Sequence, residues 1–196
     1  FVLPAFLQKM QENNWLGSKS GQGFYKKVKG ADGKSEILSL DLDTLEYTPQ
    51  KKTKFASLEL TKNIDDVRER FKILIKGKDK AGEFYRRSLA GIMAYAANRI
   101  PEICDELYRI DQGMRAGFGW KHGPFEIWDA IGLDKGIELI EAEGLHLAEW
   151  VKDLKATGGK GFYKVENAQA HFYSLPDKAY QALPGGKSFI VLDHIR

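Results

Sequence analysis

Residues 95–132 read YAANRIPEICDELYRIDQGMRAGFGWKHGPFEIWDAIG, and the placing of proline and glycine in this stretch decides what the chain around it can be. Pro101 kinks a helix or starts a new one, because its ring removes an N–H and clashes with the turn before it. Ile103 and Leu107 then carry an apolar stripe onward. Asp111 stands where it can cap a short helix ending near Gly117, and Pro124 suits the first position of the next. Gly117, Gly119 and Gly123 fall as G-x-G-x-x-x-G between two helices with no strand before them, so they do not make a dinucleotide cradle. The stretch reads as helices separated by tight turns.

Working outward, Phe84, Tyr85, Leu89, Ile92, Met93, Ala96 and Ile100 give one long apolar stripe at helical spacing. Before it, Ile64, Val67, Phe71 and Leu74 form another, behind Asn63 or Asp65 as N-cap and ended by KGKDKAG at 76–82. On the other side, Asp134 caps a helix that stops at Gly144, and Leu147, Trp150, Val151 and Leu154 make an amphipathic helix running into Gly158, Gly159 and Gly161. PQKKTKFAS at 49–57 has a proline, a charge run and no periodicity, which marks a linker. Ahead of that linker lie extended FYKKV at 24–28, a turn at ADGK and two short strands within 36–49. The chain opens on Leu3, Phe6, Leu7 and Met10, a helical stripe with nothing before it, so it looks like a piece of something longer.

One hexapeptide pattern occurs twice. G-x-G-F-Y-K stands at 21–26 and again at 159–164, each time after an amphipathic helix and at the start of an extended stretch. Two helical units that finish alike explain this better than a chance repeat of a helix stop. The match is imperfect, since Met10 precedes Gly21 by 11 residues and Leu154 precedes Gly159 by 5.

Composition narrows the class. With 43% hydrophobic and 29% charged residues the 196-residue chain can build a core and stay soluble. No apolar run approaches the roughly 20 residues that span a bilayer, and FVLPAFLQKM lacks the basic start of a secretory signal. The single cysteine, Cys104, suits a reducing cytosol and reads as a buried thiol without a catalytic partner. A net charge of +3, with lysines clustered beside glycines and turns, reads as solvated loops and not as a nucleic-acid face. GGKS at 185–188 lacks the upstream glycine of a phosphate loop, where Gln181 stands instead. His122, His146, His171 and His194 share no ligand spacing, so no metal is expected.

Taken together, Asn98, Arg99, Pro101, Ile110, Asp111, Gly117, Gly119, Gly123, Pro124, Phe125, Glu126, Asp129 and Gly132 resemble the C-terminal helical domain of the 3-hydroxyacyl-CoA dehydrogenases. Lys19, Gly21, Gly23, Phe24 and Tyr25 resemble that domain's closing motif, and Gly159, Gly161, Phe162 and Tyr163 resemble it a second time. The resemblance implies a mainly α fold, 6-phosphogluconate dehydrogenase C-terminal-like, with small β ribbons. It implies the end of a first helical copy at 1–29, a β ribbon and linker at 30–59, a second copy at 60–165, and a linker at 166–196 toward a following domain. Long members of the family carry two helical copies after a Rossmann domain, and some continue into an enoyl-CoA hydratase.

By the same resemblance, the parent is a cytoplasmic, NAD-dependent enzyme of fatty-acid β-oxidation that oxidises a 3-hydroxyacyl-CoA. Its general base and the orienting carboxylate lie on the Rossmann domain, so this piece is expected to be inactive alone and to bind no cofactor itself. The motif asparagine matches Asn98, which is expected to be structural in a second copy, with a direct part in the acyl-CoA site, through Asn98 or Lys121, as the rival. The expected role is a pseudo-dimer scaffold for the first copy and the Rossmann domain. An isolated piece would expose an apolar face able to form a homodimer.

Overall fold

The computed structural model describes residues 2–30 and 33–185. GGKS and the onward linker to Arg196 lie largely outside the described residues. The chain forms two compact units, Phe1–Thr53 and Lys54–Arg196, which meet inside the expected linker.

Unit 1 holds α1 (Ala5–Glu12), a 3-10 turn (Ser18–Ser20) and an antiparallel sheet in the order β1 (Tyr25–Lys29), β2 (Ser35–Leu40), β3 (Tyr47–Pro49). The β2–β3 turn forms because the Asp41 carboxylate accepts from the Asp43 and Thr44 N–H groups at 3.0 Å each. Leu45 takes a left-handed φ of 60° to complete it.

Unit 2 is a helical array closed by a second antiparallel sheet. Its helices are α2 (Ala56–Thr61), α3 (Val67–Leu74), α4 (Lys80–Asn98), α5 (Leu107–Phe118), α6 (Pro124–Ile131), α7 (Leu133–Ala142) and α8 (Glu149–Ala156). The strands follow as β4 (Tyr163–Glu166), β5 (Gln169–Ser174) and β6 (Ala179–Ala182), paired in that order. Asp66, and neither Asn63 nor Asp65, caps α3 by accepting from Arg68 N–H at 2.9 Å. Asp79 caps α4 through Gly82 N–H and also holds Ser57 at its N–H and Oγ, bonds that keep its carboxyl down near about 2.

The long helix α4 buries Leu89, Ala90, Met93 and Ala97, a face of small and medium side chains that lets other helices approach closely. Phe84 and Tyr85 cannot both join that face, being neighbours about 100° apart on the helix. Tyr85 meets the Phe71 ring at 6.3 Å, and Phe84 is left outside. Pro101 neither kinks α4 nor starts α5. The helix ends at Asn98, the Ile100–Pro101 bond is cis, and α5 begins only at Leu107. The residue before a proline avoids the helical region, which accounts for the early stop. Ile103 is therefore exposed and does not extend the buried stripe.

The centre of unit 2 is aromatic. Phe162 is fully buried, with ring centroids 5.0 Å from Phe125 and 4.9 Å from Trp128. The Trp128 indole donates to the Leu133 carbonyl at 3.1 Å, and a Cβ at Gly136 would lie 1.9 Å from its nitrogen, so α7 can pack on α6 only through a glycine. Phe172 and Tyr173 of β5 belong to this same core. Residues 166–182, expected as linker, are thus a folded ribbon that completes the unit.

Candidate functional site

Asp111, Asp129 and Tyr163 of the motif converge on one buried clasp. Asp111 lies in the middle of α5 and is fully buried. It does not cap its own helix. Its two oxygens accept from the first free amides of α6, Phe125 N–H at 3.0 Å and Glu126 N–H at 3.1 Å, and the Tyr163 hydroxyl donates to it at 2.8 Å. A helix start leaves amides without internal partners, so a carboxylate from a neighbouring helix serves as well as a local cap. Gly123 permits the approach, because a Cβ there would stand 2.3 Å from Asp111.

One turn into α6, Asp129 repeats the device on the closing motif. It accepts from Phe162 N–H and Tyr163 N–H, both at 2.8 Å, and thereby fixes the point where the chain leaves α8 and enters β4. Gly161 is required here, since its Cβ would meet the Asp129 carboxylate at 2.6 Å. Glu126 accepts from Gly123 N–H at 2.8 Å and pairs with Arg115. The clasp thus ties α5, α6 and β4 into one body.

Burial is the largest influence on both aspartates and pushes each carboxyl up to about 7, against the pull of the amides that favour the ionised form. Burial also raises the Tyr163 hydroxyl, with Asp111 beside it adding to the effect. Tyr163 therefore stays a donor.

Asn98 is engaged in the same manner. Its amide donates to Ala94 O and to His146 O, both at 2.8 Å, and so joins the end of α4 to the loop ahead of α8. Close by in the chain, the Trp150 indole donates to Ala97 O at 3.0 Å. Lys121 is exposed in the α5–α6 turn. Neither Asn98 nor Lys121 is among the residues that line the groove between α4 and α5.

The groove between α4 and α5 has a volume of about 610 Å³. Tyr95, Ile103 and Phe118, exposed 66, 64 and 75%, stand along it with Ile92, Met114 and Trp120. Arg99 and Arg109 border it, paired with Glu102 and Glu106, and the buried Nε of Arg99 has no partner. Cys104 is half-buried at its edge and not enclosed, with Sγ 3.5 Å from Glu106 O. Ile103, at helical spacing from Leu107 in the sequence, stands exposed on this groove. The signal that could have found the groove is the run Ile110, Met114, Phe118, apolar at helical spacing along α5.

Among the described residues no helix is long and apolar enough to cross a membrane. The family model for the 3-hydroxyacyl-CoA dehydrogenase C-terminal domain matches residues 82–165. A probable 3-hydroxyacyl-CoA dehydrogenase of Bacillus subtilis is 38% identical over all 196 residues, which cover 24% of that protein. Putative fatty acid oxidation complex trifunctional enzymes of Rickettsia felis and Rickettsia prowazekii are 27% and 26% identical over 75% and 67% of the chain, and 19% and 16% of their own lengths. The chain thus spans about a quarter or less of these relatives, and no solved structure gives a significant match. Residues 82–165, which carry Asn98, the groove and the whole clasp, belong to the 3-hydroxyacyl-CoA dehydrogenase family as its C-terminal domain.

Proposed function

We propose that this chain is the scaffold portion of a cytoplasmic, NAD-dependent 3-hydroxyacyl-CoA dehydrogenase of fatty-acid β-oxidation, and that it does no chemistry by itself. One observation carries the reading: Asn98, Asp111, Glu126 and Asp129, four of the polar side chains of the family motif, are engaged with backbone groups of their own unit. A carboxylate or amide that already holds a helix start or a strand entry is not free to bind a substrate carbonyl. The glycines at 117, 119 and 123 do not fit a dinucleotide either. Gly119 ends α5 in a left-handed turn and Gly123 is packed on Asp111, with no strand leading into them. Hydride transfer and NAD belong to a Rossmann domain elsewhere in the parent, alongside a following enoyl-CoA hydratase domain.

The α4–α5 groove is the docking face for the first helical copy of the same polypeptide. Its apolar lining supports this, since exposed apolar surface of that extent marks an interaction site. A second reading, a seat for the acyl chain of an acyl-CoA, draws on the unpartnered Arg99 Nε beside the groove. The full-length enzyme separates structural from catalytic roles. Asn98→Ala is expected to lower stability by about 1–3 kcal/mol, because two buried-edge carbonyls lose their donor, while kcat with 3-hydroxyacyl-CoA stays within about twofold. A loss of kcat by tenfold or more at unchanged stability would overturn the scaffold reading. Calorimetric binding of acetoacetyl-CoA to the 196-residue chain, abolished by Arg99→Ala, would favour the acyl-chain seat instead.

A further inference from the structure

The two units contain the same device, built to the same bonds, and only one of them is complete. Helices α1 and α8 each have eight residues and start from an extended residue, Pro4 and Ala148. Both end through a left-handed residue, Asn14 at φ 58° and Gly158 at φ 82°, followed by matching bonds: Trp15 N–H to Met10 O at 2.8 Å and Gly159 N–H to Leu154 O at 2.9 Å. Leu3, Phe6, Leu7 and Met10 thereby correspond to Leu147, Trp150, Val151 and Leu154. The six-residue difference in spacing is taken up in unit 1 by the segment around Ser18–Ser20.

Past the glycines the correspondence continues. Leu40 N–H donates to Phe24 O and Tyr173 N–H to Phe162 O, both at 2.8 Å. On each third strand a tyrosine, Tyr47 or Tyr180, donates its hydroxyl to the second motif glycine, Gly23 or Gly161. A lysine sits over each of those rings, Lys26 at 5.3 Å and Lys164 at 4.9 Å. The phenylalanines meet equivalent aromatics, Phe24 with Phe6 at 6.3 Å and Phe162 with Trp150 at 5.7 Å.

The difference lies in what covers the motif. In unit 2, α6 lies on it with Phe125 and Trp128 against the Phe162 ring and Asp129 on the Phe162 and Tyr163 amides. Phe162 is fully buried in consequence. In unit 1, Phe24 is 46% and Tyr25 59% exposed, beside a cleft of about 320 Å³ lined by Leu3, Leu7, Met10 and Trp15.

We infer that this cleft seats a helix of the same polypeptide lying N-terminal to residue 1, with an aspartate that accepts from the Phe24 and Tyr25 N–H groups. The inference rests on the reading of this chain as part of a longer protein, which the 24% coverage of its Bacillus subtilis relative supports. The occupant's chemistry follows from unit 2: aromatic side chains for Phe24 and a carboxylate one helical turn further on for the two amides. Its distance along the chain follows too. Asp129 stands 18 residues before Leu147 (147 − 129), so the missing carboxylate belongs about 18 residues before Leu3, the counterpart of Leu147. A second copy of this chain could not supply it without surrendering its own α6, whose aspartate already holds Phe162 and Tyr163.

The test uses the full-length protein with a photoreactive p-benzoylphenylalanine in place of Phe24. A cross-link to a peptide roughly 10 to 30 residues upstream of residue 1, a range set by the helix–loop lengths of such units, is the expected result. A cross-link to residues 54–185 or to a second molecule overturns the inference. Native-state hydrogen exchange on the unmodified full-length protein provides a control that no cross-linking chemistry affects. The Phe24 and Tyr25 amides should exchange within about tenfold of those of Phe162 and Tyr163. Exchange at the rate of exposed strand amides overturns the inference even if no cross-link forms. Neither readout depends on the α4–α5 groove, so the scaffold reading can fail while this one stands, and the reverse.

Discussion

Helix α5 has two stretches of opposite character. One turns Leu107, Tyr108 and Asp111 into the core, where a charged side chain is held by two amides and a hydroxyl. The other, with Met114 and Phe118 beyond Asp111, lines the α4–α5 groove. In this helix the aspartate is inside and a phenylalanine, Phe118, lies open. This reversal separates what keeps the unit folded from what it presents to a partner.

If the clasp is the fold's fastening, breaking it should cost most. Asp129→Ala leaves the Phe162 and Tyr163 amides unpaired in a buried site and is expected to lower unfolding free energy by about 2–4 kcal/mol, measured by urea denaturation. A loss below about 1 kcal/mol would mean that water replaces the carboxylate freely.

A smaller effect should appear on titration. Both clasp aspartates are raised from 3.8 to about 7, so the folded chain holds their protons more tightly than the unfolded one. Their contribution is then complete below about pH 4 and is lost as pH rises through 7. Tm is expected to fall between pH 5 and 8, with each kcal/mol lost shifting it by about 2–4 °C in a chain of this size. Asp111→Asn should flatten that slope. A Tm that instead climbs over this range would show that the amide bonds, which favour the carboxylate, outweigh burial.

The groove should respond least. Replacing Tyr95 and Phe118 by serine is expected to change stability by no more than about 0.5 kcal/mol for each, while abolishing any concentration-dependent dimer seen by sedimentation equilibrium. A strict monomer before substitution would sharpen the contrast in another way, restricting the groove to a partner within the parent chain.

Much of this was legible in sequence. The periodic stripes of α4 and α8, Pro124 at the start of α6, and the linker near Thr53 stand where residue patterns put them. Asp111 was misplaced because a cap is a local signal, whereas this aspartate serves amides 14 and 15 positions away. Phe84 and Ile103 belong to apolar stripes in the sequence yet lie exposed, because hydropathy does not say which apolar residue finds a partner. The ribbon at 166–182 was read as linker, since its pattern is weak without Phe172 and Tyr173 being known to reach the aromatic centre. The Asn98 amide reaches Ala94 O within its own helix and His146 O 48 positions away, the second a long-range bond that no local pattern announces.

Trp15 is the sole tryptophan of unit 1, its ring 5.6 Å from Tyr47, while Trp120, Trp128 and Trp150 all lie in unit 2. The chain therefore carries its own optical labels. Replacing Trp15 by phenylalanine leaves tryptophan emission from unit 2 alone, where one of the three indoles is enclosed and hydrogen-bonded at Leu133. Subtracting that signal from the parent spectrum isolates the light from unit 1, so the melting of each half can be followed in one cuvette without any added dye.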